Sequence, residues 1–214
     1  MSIGIGGSTA EQELEKLKDM TADIQPISPE EYRQRIAKAQ RLMREQGIDL
    51  LYLNAGTNLY YFTGTRWYGS ERLVGALLPA EGEPVYLAPH FERGTLEQQL
   101  GVPGEILTWQ EHQSPYRLLQ DTAERMGISS GRLGIDESTP FFISNGISEL
   151  NDSLRLVSAK VVTAGCRMIK SDAEIALMQP AKDMTLRVQQ AAGAILREGI
   201  PTEEVTAFID RAHR

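Results

Sequence analysis

The sequence has few of the residues that build covalent or metal-binding sites. It contains one cysteine, Cys166, and three histidines among 214 residues. A single cysteine cannot form a disulfide within the chain or supply the thiolate cluster of a structural zinc site. The histidines, His90, His112 and His213, lie far apart, and none has the spacing that places two ligands on one helix face. The low cysteine content fits a reducing compartment, and we predict a cytoplasmic protein.

Long apolar runs and basic clusters are also lacking. Nowhere do 18 apolar residues follow one another, and the first residues lack the basic and apolar regions of a secretory signal. The formal net charge is -7, and no run of lysine and arginine forms a local basic patch. The sequence therefore argues against a membrane protein, a secreted protein and a nucleic-acid partner.

Motifs for nucleotide binding and nucleophilic catalysis are missing as well. The glycines at 4, 6 and 7 do not follow a predicted strand, and Gly64 and Gly69 form no phosphate-binding fingerprint. There is no Gly-x-Ser-x-Gly motif, and the carboxylates lie mainly on predicted solvated helix faces. We predict no catalytic residue and no metal ligand within this chain.

The sequence instead contains alternating helix and strand patterns. Ser28, Pro29 and Glu31 predict a capped helix that begins at Pro29 and ends at Gly47. A buried strand is predicted at 48–53 and a hairpin at 72–88. A short extended segment is predicted at 60–64. The remaining predicted elements are helices at 92–100, 115–126 and 140–150 and strands at 105–109, 132–136 and 154–157. The alternation predicts an α/β domain with a mixed sheet flanked by helices.

The pattern changes near residues 158–166, where we place a domain boundary. Residues 28–160 then form the α/β domain, and residues 161–214 begin a second, helical region. A helix at 171–197 starts with a capping box of Ser171 and Glu174, and another begins at Thr202. Residues 1–27 are predicted to be a flexible segment with a short helix at 9–20, which either docks on the body or frays.

A cluster of aromatic and cationic residues lies between 60 and 68. One interpretation is that Tyr61 and Phe62 belong to the core and the rest forms a loop on its own domain. The other is that Arg66 and Trp67 project from the loop to a partner subunit or a ligand, because Trp and Arg are favoured at interfaces. We interpret each histidine as a surface or hydrogen-bonded residue and not as a metal ligand. His90 differs from the other two in that it follows a predicted strand, a position where functional groups are often presented.

Three segments together resemble the N-terminal part of the creatinase, prolidase and aminopeptidase P family of Xaa-Pro peptidases, the pita-bread metallopeptidases. The first is the helix and strand from Tyr32 through Leu53, with Gly47 and Asp49 between them. The second is Asn58-Leu59-Tyr60-Tyr61-Phe62-Thr63-Gly64, similar to the family's signature of Asn-x-x-Tyr, an aromatic residue or Leu, and Thr-Gly. The third is the stretch from Arg167 to Met178, similar to the entry into the catalytic domain.

The resemblance implies a creatinase-like N-terminal α/β domain followed by the first helices of a pita-bread metallopeptidase domain. In that family, two Asp, one His and two Glu hold two divalent ions, manganese, zinc or cobalt, and the ligands lie beyond this chain's last residues. The intact protein would hydrolyse the bond before proline in peptides, and this chain alone would be inactive. The resemblance also implies a homodimer, with Arg66, Trp67, Tyr68 and His90 as candidates for subunit contact or substrate access.

Two other functions are compatible with the sequence. One is a non-catalytic dimerisation or interaction module, and the other is a creatinase-like amidinohydrolase. The chain ends within a predicted helix, at Ala212-His213-Arg214, which we interpret as a truncated or proteolysed product.

Overall fold

The computed structural model describes residues 5–150 and 153–214, and these residues form two compact units. One, which we call the sheet unit, comprises Ser28–Ile169. The other, which we call the helical unit, combines the described residues up to Ile27 with Lys170–Arg214. The division falls a few residues after the predicted boundary, because helix α7 (Lys160–Arg167) packs against helix α2 (Pro29–Gln46) within the sheet unit.

The sheet unit is built on a six-stranded mixed sheet. The strands are β1 (Leu50–Asn54), β2 (Gly75–Pro79), β3 (Val85–Pro89), β4 (Glu105–Trp109), β5 (Gly131–Ile135) and β6 (Leu154–Ser158). Their order is β4-β3-β2-β1-β5-β6. The β1–β2 and β2–β3 pairs are antiparallel, whereas β3–β4, β1–β5 and β5–β6 are parallel. The predicted hairpin is therefore β2–β3, and the predicted fold class is confirmed.

Helices cover the sheet because its central strands are apolar on both faces. All five residues of β1, of β2 and of β3 are buried. The sheet unit also contains helices α3 (Thr57–Thr63), α4 (Arg93–Gln99), α5 (Pro115–Arg125) and α6 (Phe141–Leu150). On one face of the sheet, Leu50 and Tyr52 of β1 pack in a core cluster with Leu119 of α5 and Ile147 of α6.

The prediction of an extended segment at 60–64 was wrong, because these residues belong to helix α3. Leu59, Phe62 and Thr63 have helical spacing and are fully buried. Gly64 ends the helix in the left-handed conformation, with φ +68°. The aromatic run has strand propensity, but packing of this helix against α2 decides its conformation.

The helical unit contains helices α1 (Ala10–Lys16), α8 (Asp172–Ile195) and α9 (Thr202–Ala212). Ala191, Ala192, Ile195 and Phe208 form its core, and Leu14 of α1 packs against them. Of the two outcomes considered for the N-terminal helix, the structure shows docking, in contacts with α8 and α9. The predicted capping box of Ser171 and Glu174 is confirmed. No helix among residues 5–150 and 153–214 is long and apolar enough to cross a bilayer.

Candidate functional site

The loop that follows α3 carries three of the four predicted site residues. The Arg66 guanidinium lies 5.4 Å from the ring centroid of Tyr60. A hydrogen bond from Arg66 lowers the pKa of the Tyr60 phenol, because the cation stabilises the phenolate. Trp67 is half-buried, whereas Tyr68 is 82% exposed. Arg66 is thus held by its own unit, and Tyr68 presents its ring to solvent.

The fourth predicted residue, His90, begins a short 3₁₀ turn after β3. Its exposed ring contacts Thr108 of β4 through Nδ1 and Oγ1, 3.1 Å apart. β3 and β4 are parallel, so their carboxyl ends lie at the same edge of the sheet. His90 is therefore a surface residue at the carboxyl end of two strands, as the sequence suggested.

Arg72 connects the loop to the turn that contains His90, and sequence reasoning missed it. Its guanidinium forms ion pairs with Glu71 and, at 3.2 Å, with Glu111. It also lies 5.3 Å from the ring centroid of Phe91, which is 61% exposed. No local pattern could have revealed this contact, because Arg72, Phe91 and Glu111 lie on three separate segments. We use the name aromatic surface for Arg72, His90 and Phe91, and Tyr68 lies four residues before Arg72 on the same loop.

The carboxyl of Glu92 lies next to the aromatic surface. Burial raises its pKa, the Arg72 cation opposes that shift, and Glu71 and Glu111 add to it. The surface thus combines exposed rings with one cation and several carboxylates. Such a surface suits binding to another protein surface, since aromatic residues and arginine dominate interface energetics.

The residues of the Asn58–Gly64 signature connect structural elements within the sheet unit. Arg167 of α7 donates a hydrogen bond of 2.8 Å from Nη1 to Oδ1 of Asn58. The Tyr61 hydroxyl and the Lys38 ammonium both donate to the carbonyl of Cys166, at 3.0 and 3.2 Å. These donors satisfy a carbonyl in the last turn of α7, which has no partner within its own helix.

Arg35 of α2 holds helix α3 against α2. Its side chain is almost fully buried, donates from Nη1 to the carbonyl of Tyr61 at 3.0 Å and pairs with Glu31 at 2.7 Å. Its guanidinium also lies 4.2 Å from the ring centroid of Tyr61. Asn58, Tyr61 and Arg35 therefore have structural roles in this unit.

The described residues do not fit a metal centre. No group of three or more His, Cys, Asp or Glu in residues 5–150 and 153–214 is arranged to hold a metal ion. His90 contacts a threonine hydroxyl, and the His213 ring contacts the carbonyl of Ile209. Cys166 is buried, and burial raises the pKa of its thiol, which disfavours the thiolate that binds metals.

The sequence of this chain matches a known protein family and several known proteins. The sequence profile of the Creatinase/Prolidase N-terminal domain matches residues 35–169. YkvY of Bacillus subtilis (strain 168), a dipeptidase by name, is 28% identical over 177 residues, which are 82% of this chain and 48% of that protein.

Solved structures agree with the sequence comparison. A prolidase from Thermococcus sibiricus matches with a TM-score of 0.75 at 25% identity, over 88% of this chain and 50% of that one. A dipeptidase from Pyrococcus horikoshii OT3 matches with a TM-score of 0.72 at 27% identity, over 83% and 49%. The chain thus spans about half the length of the relatives it matches. The match to the profile covers most of the chain and nearly all of the sheet unit, so the chain belongs to the creatinase/prolidase N-terminal domain family.

Proposed function

We propose that this chain is the N-terminal portion of a metal-dependent Xaa-Pro dipeptidase or aminopeptidase. The match of residues 35–169 to the family carries the proposal. The names of the similar proteins support it, since YkvY is named as a dipeptidase and the Thermococcus sibiricus protein as a prolidase. In the intact protein the reaction would be hydrolysis of the peptide bond that precedes proline.

In the proposed intact protein, metal binding and subunit contact belong to different portions of the polypeptide. Two divalent ions, manganese, zinc or cobalt, would be held by residues outside this chain, and when bound they supply an activated water and charge stabilisation. The chain itself would provide subunit contacts and shape access to the active site, in a cytoplasmic homodimer.

Hydrolysis by the complete polypeptide tests this proposal. We expect the product of the full reading frame to cleave Leu-Pro when manganese is added and to leave Leu-Ala largely intact. Omission of the metal should lower the rate at least about a hundredfold, because the activated water is lost. The chain of residues 1–214, assayed in parallel, should show no cleavage. Release of free proline, measured by chromatography, reports the rate.

Other results would support the other functions. Cleavage of creatine but not Leu-Pro would indicate a creatinase-like amidinohydrolase. A natural polypeptide of only 214 residues, without any hydrolysis, would indicate a non-catalytic interaction module. Equal cleavage of Leu-Pro by residues 1–214 would contradict the division of roles.

The proposed subunit contact comprises the aromatic surface and the exposed ring of Tyr68 on the preceding loop. We expect Tyr68→Ala to weaken self-association of the chain at least about tenfold, because an aromatic anchor at an interface commonly contributes that much. Phe141→Ala is the matched control, since Phe141 of α6 is 79% exposed and lies outside the aromatic surface. Sedimentation equilibrium measures both dissociation constants. Equal effects of the two substitutions, or a monomeric wild-type chain, would refute this contact.

A further inference from the structure

Three carboxylates surround the arginine of the aromatic surface. All three nitrogens of the Arg72 guanidinium donate hydrogen bonds to Glu71 and Glu111, which lie on the loop after α3 and in the turn after β4. The positive charge of Arg72 is therefore already matched by two negative charges. Glu92, at the end of the 3₁₀ turn after β3, brings a third carboxylate to this cluster.

Glu92 is the carboxylate of this cluster without a cation of its own. Its side chain is half-buried and, within the described ranges, forms no ion pair. Its Oε2 atom is buried and accepts no hydrogen bond from the described residues. Burial raises the pKa of Glu92, Arg72 opposes the shift, and Glu71 and Glu111 add to it. Glu92 therefore gains a proton more readily than an exposed glutamate does.

Other charged or titratable groups lie on the elements around Glu92. Arg93 follows it in the chain and pairs with Glu97 at 2.9 Å, so the charges of these two residues compensate each other. His90 begins the same 3₁₀ turn, and the exposed His112 lies in the turn after β4. Imidazoles can gain a proton between about pH 5 and 8, so their protonation has to be separated from that of Glu92.

We propose that protonation of Glu92 strengthens self-association of the chain through the aromatic surface. This inference rests on the subunit contact proposed above. In a twofold contact between identical copies, the same surface patch of each copy faces the other. With Glu92 ionised, each patch carries three negative charges and one positive charge, so the two copies repel each other. Protonation removes one negative charge from each copy, and the exposed ring of Phe91 is then buried at a lower electrostatic cost.

Sedimentation equilibrium in neutral and mildly acidic buffer, at about pH 7.5 and about pH 5.5 and constant ionic strength, tests this switch. We expect the Kd of the wild-type dimer to fall at least about tenfold in the acidic buffer, because a one-unit rise of the pKa on association changes the affinity about tenfold for each carboxyl. Glu92→Gln removes the charge permanently. In neutral buffer this variant should therefore associate at least about tenfold more tightly than the wild type, and it should keep little of the dependence on pH.

Two further variants separate Glu92 from other effects of acid. Glu81→Gln removes the same charge from the exposed turn between β2 and β3, at the opposite end of β3, and should associate like the wild type in both buffers. His90→Gln should keep most of the dependence on pH. If His90→Gln loses that dependence and Glu92→Gln retains it, the histidine is the titrating group and the proposal is wrong.

Failure of the switch and failure of the subunit contact give different results. A dimer with the same Kd in both buffers and in Glu92→Gln would overturn the switch and leave the contact in place. Weaker association in the acidic buffer would also overturn the switch, because Glu92 would then face a cation of the other copy. A chain that stays monomeric in both buffers and in every variant would refute the contact itself.

The stability of Glu92→Gln checks the starting point of this inference without any association. The folded chain disfavours the ionised form of Glu92, so in neutral buffer the neutral variant should be at least as stable as the wild type. Urea unfolding of dilute protein measures the two free energies of unfolding. A less stable variant would mean that the folded chain stabilises the carboxylate, and protonation of Glu92 would then not be favoured.

Discussion

Replacement of Asp136 by asparagine is expected to lower the free energy of unfolding of the sheet unit by about 3 kcal/mol. Asp136 is 2% exposed and directly follows β5. Its Oδ2 accepts from the backbone N–H of Asn54 at 2.7 Å. Its Oδ1 accepts from the N–H and the hydroxyl of Ser138, at 2.7 and 2.6 Å. One carboxylate thus satisfies three donors where the parallel strands β1 and β5 end.

An amide cannot replace this carboxylate in either orientation. If the new NH₂ group faces Asn54, two N–H donors meet at the end of β1. If it faces Ser138, the hydroxyl can rotate, but the backbone N–H of Ser138 still meets a donor. A buried donor without an acceptor costs about 1–3 kcal/mol, and hydrogen bonds to charged groups contribute more than neutral ones. The expected loss follows from both effects.

Tryptophan fluorescence during urea unfolding measures this loss for the correct unit, because Trp67 and Trp109 both belong to the sheet unit. Asp121→Asn is the control, since Asp121 is exposed on α5 and should change stability by less than about 0.5 kcal/mol. The dependence of the unfolding free energy on urea should be unchanged in both variants. A loss below about 1 kcal/mol for Asp136→Asn would show that the surrounding donors find other acceptors.

The same residue shows why the fold could be predicted only in part from the sequence. Features with local causes were predicted well. Pro29 begins α2, Gly47 ends it at φ +63°, and the hairpin of β2 and β3 lies where apolar strands flank a turn. The contact of Asp136 with Asn54 joins positions 82 apart, and nothing local specifies it. The parallel pairing of β1 with β5 also joins distant segments, so no local pattern predicts it.

The candidate site could also be predicted only in part from the sequence. The position of His90 after a strand was predicted from the local pattern. The role of Arg72 depends on Phe91 and Glu111, which only the folded chain brings to it. The conformation of the Asn58–Gly64 segment was also decided by tertiary packing. Its aromatic residues favour a strand, but in the structure Leu59 and Phe62 lie three positions apart on the buried face of a helix.

Gly64→Ala is expected to destabilise the sheet unit by about 3 kcal/mol, and Gly47→Ala by only about 1 kcal/mol. Both glycines end a helix in the left-handed conformation, at φ +68° and +63°. The backbone cost of a Cβ is therefore nearly the same at the two positions, and any difference between the variants reports on the space around that Cβ.

The space around an added Cβ is much smaller at Gly64 than at Gly47. A Cβ on Gly64 would lie 2.9 Å from two ring carbons of Tyr32 and 3.3 Å from the Cα of Gly101. Tyr32 is buried, and the guanidinium of Arg35 lies 5.3 Å from its ring centroid, so the ring has little room to move. A Cβ on Gly47 would meet only the end of the Arg132 side chain, at 3.3 Å. The added overlap at Gly64 accounts for the larger loss, since overpacking typically costs about 1–3 kcal/mol.

Urea unfolding followed by tryptophan fluorescence compares the two variants under identical conditions. A larger loss for Gly64→Ala means that the final glycine of the signature is required for close packing of α3 against α2. Equal losses would mean that the Tyr32 ring yields, and the glycine would then serve only to end the helix. In either case the role of Gly64 is structural, because the residue has no side chain to act on a substrate.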